Sequence, residues 1–133
     1  MKIAGVDHIA VAVSDTEKAL KLWRDGFGFT VKCSVTINNG SVKLTHLNAG
    51  GIDIQLVEPL NKDHPIHKWI AERGEGLHHL CLFSEFDTNP IEEVRKAGFF
   101  SAQDVPHEGV YGKRALFLKP ETTGSVLVEL TGY

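Results

Sequence analysis

The strongest constraint in this sequence is that its second half repeats its first. His8 and His79 stand 71 residues apart, Asp15 and Asp87 72, Gly26 and Gly98 72, and Gln55 and Glu129 74. Drift of this size over a module is what changes in loop length produce. A period of roughly half the chain marks duplication of one unit, since a solenoid needs at least about three copies. The duplication predicts two paired modules that build one cleft.

Each copy reads as strand, helix and three strands. In the first, VDHIAVAV from Val6 to Val13 is β-rich and stops at Ser14-Asp15-Thr16, where Ser14 or Asp15 can cap a helix. The following TEKALKLWRDGFGF places Ala19, Leu20, Leu22 and Trp23 on one helical stripe, ended by Gly26 and Gly28. Thr30 to Ile37 and Val42 to Leu47 are strands around the hairpin signal Asn38-Asn39-Gly40, and IDIQLVEP is a further strand after Ala49-Gly50-Gly51. A linking helix is expected between about residues 61 and 76, with Pro65 near its start and Gly74 and Gly76 ending it. The second copy then supplies a strand at His79–Phe83, a helix in NPIEEVRKAGFF, and strands at Ser101–Val105, Arg114–Leu118 and Val126–Leu130. The whole chain, 1–133, is read as one domain, with module 1 at about 5–59 and module 2 at about 77–131.

Charge narrows the partners. With 14 basic and 17 acidic residues the formal charge is −3, so no basic field draws in nucleic acid or an anionic membrane. The two cysteines, Cys33 and Cys81, lie in strand-like surroundings without metal-binding spacing and read as reduced thiols. No apolar run reaches membrane-spanning length, and the N-terminus enters a strand almost at once, so a soluble, cytoplasmic protein is expected.

The polar residues that the repeat places at equivalent points are the candidates for chemistry. Strand alternation puts Asp53 and Gln55 on one face and Ile52, Ile54 and Leu56 on the other; likewise Leu127 and Glu129 oppose Val126 and Val128. A glutamine inside IDIQL and a glutamate inside VLVEL are costly if buried without partners. Together with His8 and His79 they form a mixed N/O set that suits one divalent ion, Co, Ni, Mn, Zn or Fe, with positions left open for a reactant.

The DHIAVAV start, the IDIQLVEP strand, the RGEGLHHLCLF segment and the terminal GSVLVELTGY resemble the vicinal oxygen chelate (glyoxalase/bleomycin resistance/dioxygenase) superfamily, most of all its methylmalonyl-CoA epimerase branch. The resemblance implies an α+β fold of two tandem βαβββ modules forming a half-open curved sheet around a metal cleft. It implies His8, Gln55, His79 and Glu129 as metal ligands, and selects His79 over His78, which the repeat matches to Asp7. The implied reaction is abstraction of the proton next to a thioester carbonyl and its return on the other side, with Glu129 as one proton-transfer group. Where some epimerases carry a second glutamate, this chain has Lys43, whose face of the strand is shared by Thr45 but not by His46. Where the branch more often has a histidine and then a lysine, this chain has Lys119 and Glu121; Lys113, Arg114 and Lys119 are candidate contacts for the phosphates of an acyl-CoA. A homodimer is implied as well. The alternatives are an isomerase of the glyoxalase I (lactoylglutathione lyase) type and a metal-free binding or resistance protein of the same fold.

Overall fold

A computed structural model describes residues 1–133. The chain is mixed α+β and divides into two units: His8–His78, here the first unit, and Met1–Asp7 together with His79–Tyr133, the second. The division falls inside the first strand, β1 (Lys2–Ala12), so that His8 opens the first unit's share of it.

In the first unit, α1 (Thr16–Leu20) is capped by Asp15, whose side chain accepts from the Lys18 N–H at 3.2 Å. Ser14, the other cap candidate, instead donates through both its N–H and its hydroxyl to Glu75 Oε1, each at 2.6 Å. The expected long helix is not regular: Lys21–Gly26 widens into a π-type turn in which the Phe27 N–H reaches back to the Leu22 carbonyl. There Trp23 packs on the apolar core and meets Phe27 edge to face at 5.4 Å.

Three strands follow: β2 (Thr30–Ile37), β3 (Val42–Asn48) and β4 (Asp53–Pro59). Asn38, Asn39 and Gly40 all adopt positive φ between β2 and β3, which is the conformation that the Asn-Asn-Gly signal predicts. The sheet runs β2-β3-β4-β1, antiparallel except for β4 against β1. β2 is its edge, with a bulge between Val31 and Cys33. One sheet face carries Val11, Val13, Leu47, Ile54 and Leu56, which enclose Leu20 of α1. Each such side chain contributes about 1.5–3 kcal/mol by leaving water. The linking helix, α2 (Pro65–Arg73), is shorter than expected because Asn61 and His64 hold the preceding residues in turns. Burial lowers the pKa of His64, which keeps Nδ1 unprotonated to accept from the Ile66 N–H.

In the second unit β5 (Gly76–Glu85), which begins in the first unit, pairs in parallel with β8 (Val128–Gly132). β7 (Arg114–Phe117) lies antiparallel to β8, and β6 (His107–Glu108) to β7. α3 (Pro90–Lys96) is capped by Asn89 and carries Pro90 in its first turn. Its Val94 packs with Leu116, Leu118, Val128 and Leu130. One expected strand is absent. Ser101–Val105 forms only a single bridge, Ser101 to Leu118, and the pairing resumes at β6. Side chains take over the bonds a ladder would need: the Ser101 hydroxyl donates to the Gln103 carbonyl and accepts from its N–H, and the Gln103 amide donates to Val105 O. Pro106 then has no N–H to offer. The last strand also starts later than expected, because the Val126 N–H turns back to the Thr123 carbonyl.

Candidate functional site

Within the first unit, the face of the sheet opposite the Leu47–Leu56 core carries the polar group. β1 and β4 set His8 beside Asp53 and Ala10 beside Gln55, while β3 and β4 set His46 directly across from Gln55. His8, His46 and Gln55 are buried, each no more than 4% exposed. Ala10, the β1 partner of Gln55, is fully buried. His46 links the group: its Nδ1 lies 2.8 Å from Asp53 Oδ2 and its Nε2 2.9 Å from Gln55 Nε2. The His8 ring meets the His46 ring edge to face at 5.5 Å. Lys32 donates to the other Asp53 oxygen at 2.8 Å. Burial alone would raise the Asp53 pKa, but bonds from Lys32 and His46 win and hold it below the ordinary carboxylate value.

The second unit has its own polar group. His79 on β5 and Glu129 on β8 place Nε2 and Oε1 3.6 Å apart, both side chains nearly covered. That exceeds a good hydrogen bond, but donors bonded to one ion at about 2.0–2.2 Å stand roughly 3–3.5 Å apart. The other Glu129 oxygen lies 3.0 Å from His107 Nε2. His107 Nδ1 faces Gln103 Oε1 at 3.0 Å, and that oxygen also accepts from the Phe117 N–H. Because Gln103 presents an acceptor there, His107 Nδ1 is the donor to it and Nε2 is the nitrogen that faces the carboxylate. Gln103, His107 and Glu129 thus form one chain of hydrogen-bonding groups. Phe117 stacks on His107 and meets His79 edge to face, walling both rings. Burial first, and then the Glu129 carboxylate opposite it in the ladder, push the Cys81 thiol up, so it stays protonated. Neither cysteine is in a disulfide.

The remaining candidates are placed as follows. Lys43 pairs with Glu58 and Thr36 in the ladder, on the Thr45–Leu47 face of β3. The structure does not bring it to the His46–Gln55 face. Lys113 donates to Asp7 at 2.7 Å and lies over the Phe83 ring, whereas Arg114 and Lys119 are exposed. His78 sits edge-on against Trp69 at 4.9 Å, a packing contact. Sequence reasoning missed His46, His107, Gln103 and the link through Asp53. Parity along β3 set His46 apart from Lys43, but only the ladder register shows that His46 faces Gln55, and nothing in the sequence placed Gln103 behind His107.

The family model of the glyoxalase/bleomycin resistance protein/dioxygenase superfamily matches residues 7–117. The mitochondrial methylmalonyl-CoA epimerase of Mus musculus is 33% identical over 130 residues, covering 97% of this chain and 73% of its own. The ethylmalonyl-CoA/methylmalonyl-CoA epimerase of Cereibacter sphaeroides is 28% identical, covering 96% and 97%. Among solved structures, a methylmalonyl-CoA epimerase variant of Streptomyces coelicolor in complex with 2-nitronate-propionyl-CoA superposes with a TM-score of 0.87 at 29% identity, covering 98% of this chain and 97% of that one.

Proposed function

Since the chain belongs to the glyoxalase/bleomycin resistance protein/dioxygenase superfamily, we propose that it is an epimerase of methylmalonyl-CoA or a similar 2-substituted acyl-CoA, working with one divalent metal held by His8, Gln55, His79 and Glu129. The observation that carries this reading is Glu129, a covered carboxylate with one oxygen beside the His79 imidazole and the other 3.0 Å from His107 Nε2. Relatives named as acyl-CoA epimerases at 28% and 33% identity over nearly the whole chain support the substrate class.

The donor chemistry fits a divalent ion: two imidazoles, an amide and a carboxylate, all on strands and none on loops. Such an ion supplies Lewis-acid stabilisation to the negative charge that develops at the thioester oxygen. Glu129 takes or returns the proton at the carbon next to that carbonyl, and His107 Nε2 is placed to share it. His79 and His107 are held against Phe117, which keeps water from that side of the carboxylate. Lys43, on the other face of β3, enters only as a substitution to be tested. Arg114 and Lys119 are proposed to meet the CoA phosphates; Lys113 would do so only by giving up Asp7. A homodimer and a cytoplasmic location complete the reading on family grounds, and sedimentation velocity tests the dimer.

The decisive experiment incubates cobalt-loaded protein with methylmalonyl-CoA in deuterated water and follows the α-proton by NMR. Exchange at a rate far above the protein-free control is expected. If there is no exchange but a glutathione hemithioacetal is isomerised, the chain is of the glyoxalase I type. If no divalent ion binds in stoichiometric amount, the enzyme reading falls and a metal-free binding protein replaces it.

A further inference from the structure

We propose that His46 is a positioning residue that fixes which end of the Gln55 amide is presented as a ligand, and that Asp53 makes this possible by setting the His46 tautomer. The inference rests on the reading of Gln55 as a metal ligand. An amide has a donor end and an acceptor end of nearly identical shape, so a buried glutamine has two orientations, and only the one that presents oxygen can bind a cation.

The order of bonds removes that ambiguity. Lys32 donates to one Asp53 oxygen and His46 Nδ1 meets the other, so Asp53 is the acceptor in this pair and the ring proton sits on Nδ1. Nε2 is then a lone pair facing Gln55 at 2.9 Å, and only the NH2 end of the amide can answer it. With that end fixed, Oε1 is turned away from His46. The opposite flip would set two lone pairs against each other at a site where His46 and Gln55 are 3% and 4% exposed, so little water is available to relieve the clash. β-ladder register enforces the contact, since His46 and Gln55 are direct cross-strand partners. A bond from a neighbouring group that orients a ligand atom is commonly worth about 10–100-fold in metal affinity.

The test measures cobalt affinity of the full chain by competition with a chromophoric chelator, together with the visible absorption of the bound cobalt. His46→Phe keeps the ring and its edge-to-face contact with His8 but removes the acceptor. It is expected to weaken cobalt binding about 10–100-fold and to shift the absorption bands. In a Gln55→Glu background the same change is expected to cost nothing, because a carboxylate presents oxygen in either orientation. Asp53→Asn keeps the ring and frees the tautomer, and should weaken binding in the same direction by less. Equal loss from His46→Phe in both backgrounds would make His46 a packing residue and overturn the inference. So would undiminished affinity in the Gln55 background. Failure of the unsubstituted chain to bind cobalt is a separate outcome, and overturns the metal reading and this inference together.

Discussion

The two units brace their candidate ligands in the same way but end on different groups, an amide and a carboxylate. In the first, Asp53 stands behind His46 and His46 behind Gln55; in the second, Gln103 stands behind His107 and His107 behind Glu129. The histidines are not equivalent in the repeat, since one lies on β3 and the other on β6. The first chain ends on an amide that donates, so a neutral ring suffices. The second ends on a carboxylate, with an amide oxygen behind the ring. Equivalent strands supplied the end residues Gln55 and Glu129, but each unit braces its own through a histidine from a non-equivalent strand.

Glu129→Gln makes the ends of the two chains alike, and this should have the largest effect: α-proton exchange falls about 10²–10⁴-fold. Gln55→Glu, the reverse change, should retain measurable exchange in the same assay. A smaller but still severe effect is expected from Gly132→Ala. Gly132 occupies the place that Glu58 holds in the first unit by the 74-residue offset of Gln55 and Glu129. Glu58 accepts from the Thr16 N–H there, whereas a Cβ on Gly132 would lie 2.2 Å from the Ser84 carbonyl oxygen. Overpacking against backbone should cost about 3 kcal/mol in chemical denaturation, and tolerance of alanine would show that the two units are more alike than they look.

Acid should act more gently. A carboxyl held below its ordinary value contributes stability that is present above that value and lost as pH falls towards the folded one. Asp53 is such a group, so the thermal midpoint should be level from about pH 7 to 5 and decline below about pH 4. Asp53→Asn should remove part of that decline, and an unchanged acid limb would deny Asp53 the role. The smallest effect is expected at Lys43→Ala, whose side chain points away from the Gln55 face: stability within about 0.5 kcal/mol, with cobalt content unchanged. Lost turnover with intact cobalt would give Lys43 a part in proton transfer.

Much of this was legible in the sequence because strand periodicity and the repeat act over short distances along the chain. Alternation within IDIQLVEP and VLVEL put Gln55 and Glu129 opposite their aliphatic neighbours, and the register agrees, with Ile54, Leu56, Val128 and Leu130 in the cores. The same parity separated His46 from Lys43. What the sequence could not give was the partner across a ladder. Whether His46 meets Gln55 or Leu56 depends on a register set by the Ala49–Ile52 turn between β3 and β4, and a slip of one residue would reverse it. The missed irregularity at Ser101–Val105 has the same origin. Its composition suits a strand, but serine and glutamine side chains can satisfy the backbone locally, and Gln103 is thereby freed to brace His107.

The bulge between Val31 and Cys33 on β2 carries a further consequence. β2 ends its sheet, and an unpaired strand edge is a template on which another chain can grow by backbone pairing. The extra residue breaks the even spacing that such growth needs, and the residue at the bulge is Lys32, whose charge makes the edge a poor surface for self-association. The lysine that holds Asp53 ionised therefore also guards the protein against aggregation, so its replacement by an apolar residue would be felt in the test tube as turbidity before it was felt in catalysis.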